Sequence, residues 1–374
     1  MIESVTLELR PRLQICNAFI HLRTIVNSEN VRVKLLEESI EISIGNEMLK
    51  LLVKSIKFIP NSLSALSVTN NWICFRIQIR SNSVFGSFQT ELVNNSVPKI
   101  NFPNDSVNKC TLENSELLNA SDCHILCTCC KTVLSKKILV KRVLPVPDMN
   151  YDPGEWFCCT HNHDDISQNL VPSESDIFYT ALFFVVQSSL FNNNLKVDGN
   201  SIICNRCLQY LGKTDKNNLF KLWSYCIDYS SSNDVKLRSA SDPFNDFLLA
   251  IKTSMTGMFG EEIILQSFVG KETHCLILKP MDWNLNLMIE PKQITNNNSI
   301  TLQKVSIVKA LYKYETKKSI IDSTNRSYCE VGPSVIKAGL EHLLLSTKRF
   351  PQLHRVASDY YIGHIYLEKP TSES

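Results

Sequence analysis

Two short cysteine pairs, and the segment between them, hold the side chains best suited to chemistry. The first pair is Cys127-Thr-Cys-Cys130; about seventy residues later comes Cys204-Asn-Arg-Cys207. Between them lies Glu155-Trp-Phe-Cys-Cys-Thr-His-Asn-His163. Two C-x-x-C pairs make up the ligand set of a four-cysteine zinc site, in which each pair turns tightly and aims two thiolates at one ion. Zn bound this way ties distant segments together. Two other readings of the same residues stay open: unrelated reduced thiols, and a redox-active C-x-x-C. The gap between the pairs is longer than in an ordinary zinc finger.

Composition narrows the setting. The chain has 374 residues, 44% hydrophobic and 20% charged, with a formal net charge of +2. That length accommodates two or three globular domains. No Lys/Arg-rich block or basic helix offers the electrostatic footprint of phosphate binding, so direct nucleic-acid contact is not expected. Fourteen cysteines raise the question of secreted disulfides. The opening residues Met1–Arg10 have neither an apolar core nor a cleavage site. The longest apolar run, around Ala181–Val186, is too short to span a bilayer, and no membrane association is expected. A reducing cytosolic or nuclear location follows, where clustered cysteines hold metal more often than they pair. No Walker loop, HExxH or Gly-rich dinucleotide fingerprint occurs, which disfavours a small-molecule enzyme.

The elements that would position the cysteines are mostly strands. Ile2–Leu9, Val31–Leu36, Ile40–Ile44 and Trp72–Ile79 alternate with period two. In the last of these, Trp72, Cys74 or Phe75, Ile77 and Ile79 are expected near one face. An antiparallel sandwich or barrel half is expected, with a packing role. Residues 93–121 crowd Asn, Ser and Pro and read as a linker. Ile138–Leu144 reads as one strand leading to Pro145-Val-Pro147. Residues 176–191 are apolar all round and so are buried, as helix or strand. Asp242 suits an N-cap and Pro243 a first helical position. Phe244, Phe247, Leu248, Ile251, Met255 and Met258 then repeat at helical spacing. That stripe could pack on its own domain or face a partner. Strands are expected at 262–268, 273–278 and 285–289, and 302–312 is apolar again. A second helix opens at Pro333 with Ile336, Leu340, Leu343 and Leu344 as its apolar face, and a closing strand covers 360–367. The expected class is α+β, mostly β: an N-terminal antiparallel β domain over 1–115, a central zinc-bound region over 116–212 and a C-terminal α+β region over 213–374.

The order of motifs adds a resemblance. After the first cysteine pair come Arg142-Val-Leu-Pro-Val-Pro147, Glu155-Trp-Phe-Cys-Cys159, Asp176–Val185 and then Ile203-Cys-Asn-Arg-Cys-Leu-Gln-Tyr-Leu-Gly212. This series resembles the HECT-like, E2-binding E3 ubiquitin ligases of type D, with weaker similarity running to the end of the chain. The resemblance implies that Cys127, Cys130, Cys204 and Cys207 are the metal ligands. It implies that Trp156, Cys158 and Cys159 match the family's Trp-x-Cys-Cys/His element. There an exposed cysteine can reach a metal held by a partner, the metallo-β-lactamase-type nuclease of pre-mRNA 3′-end cleavage. It places an E2-binding segment near Phe244–Met258. The sequence departs from the family at Thr180-Ala181, where relatives carry Gly-Asp. It has a shorter Pro147–Trp156 spacing and an extra residue before His161.

A ligase that carries ubiquitin as a thioester needs a cysteine nucleophile. Cys329 is the last cysteine of the chain, so Cys158 or Cys159 is the expected catalytic thiol, with Cys158 favoured. His161 and His163 could lower its pKa or act as base; they could equally be auxiliary metal ligands beside ordinary thiols. Three functions are expected to compete. The first is an E3 ligase, a transferase that works with an E2 ubiquitin-conjugating enzyme and ubiquitin. The second is an assembly factor that grips the nuclease through a cysteine. The third is a zinc-stabilised scaffold.

Overall fold

A computed structural model describes residues 2–10, 13–80, 122–146, 172–214, 218–231, 242–254, 262–270, 272–292, 298–317 and 326–367. The protein is mostly β with two α-helices among these residues, as the period-two patterning required. The largest sheet has eleven strands. Ile2–Arg10 pairs antiparallel with Ile15–Leu22 on one side and with Glu272–Ile289 on the other. Strands from the two ends of the chain therefore share one sheet, so strands do not sort by the three expected regions. The boundary expected near residue 115 lies outside the described residues.

Alternation decides which face of this sheet is buried. Ile15–Leu22 turns Cys16, Ala18, Ile20 and Leu22 inward. Trp72–Arg80 does the same with Ile73, Phe75, Ile77 and Ile79, so the inward set begins one residue after Trp72. Trp72 and Cys74 belong to the other face, a correction to the expected set. Against the inward side lies a four-stranded sheet, Val31–Leu35, Ser39–Ile44, Glu47–Leu52 and Ser299–Thr301. Ile40, Ile42, Leu49 and Leu51 from it join Leu7, Ile20 and Phe75 in one core, which makes the expected sandwich.

The central region has its own seven-stranded sheet, running from Arg142–Pro145 through Leu219–Trp223 to Leu195–Asp198. Beside it is a three-stranded sheet of Ile138–Leu139, Asp122–Cys127 and Ile227–Ser231. The apolar run at 176–191 resolves into the strands Asp176–Tyr179 and Phe183–Gln187. Thr180 makes the turn between them: its hydroxyl accepts from the N–H groups of Leu182 and Phe183, both at 3.1 Å. The single strand expected at 138–144 is two, Ile138–Leu139 and Arg142–Pro145. The reverse holds at 273–289. Two expected strands are one of 18 residues, whose register shifts at Pro280–Leu285 take up the irregular sequence.

Helix α1, Pro243–Ser254, starts as expected, with Phe244 N–H donating to Asp242 Oδ1 at 3.2 Å. Helix α2 is Pro333–Thr347. The two helices cross closely at Gly339, where a Cβ would stand 2.4 Å from the Phe247 ring. The inward face of α2 carries Val335, Ile336, Gly339, Leu343, Ser346 and Thr347. Leu344 is 42% exposed, contrary to the expected apolar face. Ser346 and Thr347 take the inward positions because their hydroxyls are bonded there: Thr347 Oγ1 to Tyr312 Oη at 2.8 Å, and Ser346 Oγ to the N–H of His364 at 2.8 Å. Arg349, just beyond the helix, donates to Val5 O and to both oxygens of Glu290, fastening α2 to the N-terminal strand. No helix among the described residues is long and apolar enough to cross a membrane.

Candidate metal centre

Each cysteine pair sits in a turn at the end of a strand, and the two turns are built alike. Asp122–Cys127 ends on the first cysteine of one pair, and Ser201–Cys204 on the first cysteine of the other. In the first turn Lys131 N–H donates to Cys127 O at 2.8 Å and Cys127 N–H to Thr132 O at 2.9 Å. In the second, Leu208 N–H donates to Cys204 O at 2.9 Å and Cys204 N–H to Gln209 O at 2.9 Å. The residue after each second cysteine is left-handed, Lys131 at φ 57° and Leu208 at φ 62°. This places the sulfurs of one pair on the same side of the turn.

The four sulfurs converge. Cys127 Sγ is 3.6 Å from Cys207 Sγ, and Cys130 Sγ is 3.6 Å from Cys204 Sγ. All four lie within 4.8 Å of one another, a group that could hold a metal ion. Zn–S bonds of about 2.3 Å in a tetrahedron separate sulfurs by about 3.8 Å, close to the observed spacing. A disulfide would require about 2.05 Å. Buried Cys127 and Cys204 alternate with half-buried Cys130 and Cys207 around the group.

Electrostatics follow from this placement. Burial pushes the Cys127 and Cys204 thiols up. Backbone N–H groups oppose it by stabilising the anions, those of Cys130 and Cys129 at Cys127 and those of Cys207 and Arg206 at Cys204. Cys130 moves the other way, to about 6, chiefly through Thr132, whose hydroxyl lies 3.3 Å from its sulfur. A thiolate-binding cation fits such a donor set: four sulfurs close to tetrahedral spacing, with backbone N–H groups aimed at Cys127, Cys130 and Cys204.

Cys127, Cys130, Cys204 and Cys207 are thus brought together into one group that could hold a metal ion. Trp156, Cys158, Cys159, His161 and His163 lie outside the described residues, as do Met255 and Met258. Of the remaining stripe on α1, Phe247 is 0% exposed and Ile251 is buried, both in the protein's own core, so of the two alternatives these residues follow own-domain packing rather than a partner-facing surface. Phe244 and Leu248 pack only partly against that core. Sequence reasoning missed the supporting residues. Thr132, Gln209 and the left-handed Lys131 and Leu208 complete the turns, but without glycine at the left-handed position nothing marked it. Gln209 also places its side-chain oxygen 3.3 Å from Cys127 Sγ, and Arg206 Nη1 donates to Thr132 Oγ1 at 3.3 Å across the two turns.

Both turns fall inside a match to a known family. The family model described as "HECT-like Ubiquitin-conjugating enzyme (E2)-binding" matches residues 8–362. Among curated proteins, the chain is similar to E3 ubiquitin-protein ligase E3D of Rattus norvegicus, 31% identical over 112 residues that cover 29% of this chain and 30% of that protein. It is also similar to E3 ubiquitin-protein ligase E3D of Mus musculus, 32% identical over 119 residues, covering 29% and 30%. With that of Homo sapiens the identity is 29% over 133 residues, covering 29% and 34%. The aligned stretch thus spans about a third of each of these relatives. No solved structure matches.

Proposed function

The chain belongs to the HECT-like, ubiquitin-conjugating enzyme (E2)-binding family, and from that premise we propose that it is an E3 ubiquitin ligase. In this reading it engages a charged E2 and promotes transfer of ubiquitin to protein lysines in the cytosol or nucleus. The observation that carries the reading is the family match, which runs from residue 8 to residue 362 and contains both cysteine turns. We assign zinc to the four sulfurs of Cys127, Cys130, Cys204 and Cys207, where it would supply a structural cross-link between the two turns. The half-buried Phe244 and Leu248 on α1 are the side chains of the expected E2-facing stripe that remain within reach of a partner.

Covalent transfer would proceed in two exchanges. A ligase thiolate displaces the E2 thiolate from ubiquitin's thioester, and a substrate lysine amine then displaces the ligase thiolate to form the amide. Cys329 is buried at 7% exposure, which disfavours the last cysteine of the chain as that nucleophile. Cys158 and Cys159 are the thiols we assign to the step, with His161 as the neighbouring base. The test is self-ubiquitination of the full chain with E1, E2 and ATP. The C158S/C159S variant should lose it while keeping its zinc; unchanged activity would rule out transfer through these thiols.

The burial of Cys329 also favours a second reading, in which no thioester forms. Here the chain is a non-catalytic partner that inserts Cys158 into the active site of the metallo-β-lactamase-type nuclease of pre-mRNA 3′-end processing. Co-purification of that nuclease from cells, lost in C158A with zinc content unchanged, would support it; the absence of any stable complex would count against it.

A further inference from the structure

Among the described residues, part of the second face of the eleven-stranded sheet is uncovered. Asn17, Phe19, His21, Trp72, Cys74 and Arg76 alternate with the core residues of their strands, so they share the face opposite the sandwich core. With the exposed strand Ser64–Thr69 at its edge and the segment from Phe350 to Arg355 as a wall, this face forms a cleft of 940 Å³. Four cationic side chains line it, Arg10, Arg76, Lys309 and Arg355, against the single carboxylate of Glu8. That concentration of one sign contrasts with a whole chain of formal charge +2.

Glu8 acts as an internal anchor. It is 1% exposed and accepts from Arg10 Nη2 at 2.6 Å and Lys309 Nζ at 2.7 Å, which fixes both cations in the floor. Burial opposes its charge, yet His364 and Lys309 hold its carboxyl well below the usual range. No carboxylate among the described residues pairs with Arg76 or Arg355. Arg76 Nε donates to Asn17 Oδ1 at 3.2 Å and Arg355 Nε to Phe350 O at 2.8 Å, so each head is held by one nitrogen and presents the others.

We propose that this cleft is a binding site for an extended acidic peptide, whose carboxylates pair with Arg76 and Arg355 on its two sides. The cations are spread over several elements, which suits a chain carrying several carboxylates: Arg10 and Arg76 stand on strands separated by Ile15–Leu22, roughly 10 Å between backbones at ordinary strand spacing. Nucleic acid fits less well because the aromatic faces are taken. Trp72, 7% exposed, is stacked on His21 at 4.3 Å, and Phe19 packs on Phe350 at 5.3 Å and His354 at 5.7 Å, so these rings offer little free face to bases.

The inference stands apart from the ligase reading, and its test needs neither E1 nor E2. Fluorescence anisotropy with the full chain would use a fluorescein-labelled Glu-Gly repeat peptide, with a Gln-Gly repeat of equal length as control. The acidic peptide should bind, the neutral one should not, and added salt should weaken binding. R76E/R355E should bind about tenfold more weakly or worse, with zinc content and circular dichroism unchanged, while R76K/R355K should keep most of the affinity. Failure of the acidic peptide to bind at low salt, or binding untouched by R76E/R355E, would overturn the proposal. So would displacement of the peptide by an oligothymidylate at lower concentration than by unlabelled peptide.

Discussion

Four thiols within 4.8 Å of one another cannot all ionise without a cation among them, because each new charge raises the cost of the next. A metal ion bound there would couple to the ordering of the two turns. On the zinc assignment proposed above, Cys204→Ser should abolish stoichiometric metal binding, read by mass spectrometry, and lower the melting temperature. A strong chelator should do the same to the native protein. The turns also carry backbone strain. Leu208 adopts φ 62° while its side chain is 73% exposed, so it gives up conformational freedom for little packing. Leu208→Gly should be tolerated and should stabilise by up to about 1 kcal/mol, measured by urea titration of the metal-loaded protein.

Between elements, α1 packs on α2, and α2 packs on the closing strand Tyr360–Tyr366. Gly339 leaves room for the Phe247 ring, and Gly339→Ala would place a Cβ 2.4 Å from it. The expected loss is about 1–3 kcal/mol, partly recovered by Phe247→Leu in the same chain; a double-mutant cycle in urea checks this. His342 lies between the same elements, with its ring 4.5 Å from Phe244 and its Nε2 accepting from Tyr366 N–H at 3.1 Å. Burial lowers its pKa to about 4 from 6.5, against an opposing hydrogen bond with the His364 backbone. Between those values the unfolded chain binds a proton that the folded chain refuses. Stability is thus full above about pH 6.5 and falls as pH drops toward 4, by at most about 1.4 kcal/mol per unit. Urea midpoints followed through this window should show a smaller fall for His342→Gln, which keeps an acceptor but cannot charge.

At the scale of the whole molecule, the two ends of the chain hold each other. Arg349 Nη2 donates to Val5 O at 2.7 Å and to Glu290 Oε2 at 2.6 Å, and Nε donates to Thr6 Oγ1 at 2.9 Å. Glu290 Oε2 in turn accepts from Val5 N–H at 2.7 Å. One guanidinium thereby joins the first strand, the strand Glu272–Ile289 and the end of α2. Arg349→Ala leaves a largely buried carboxylate unpaired and should cost about 3–5 kcal/mol. Chemical denaturation should show this as a lower midpoint, and hydrogen exchange should show faster opening of Ile2–Arg10.

Much of this was written locally. The paired cysteines announced their turns, alternation announced the strands, and Asp242-Pro243 announced the start of α1, because each depends on neighbours a few residues away. Alternation says which side of a strand is apolar, but nothing about what lies against it. That is why the outward place of Leu344, the inward place of Phe247 and the union of the first and last strands in one sheet had to be read from tertiary contacts. The convergence of Cys127 and Cys130 on Cys204 and Cys207 is of both kinds: the residue types and their pairing pointed to these four as one group, while only the packing of the strands that end on them brought the sulfurs to 3.6 Å.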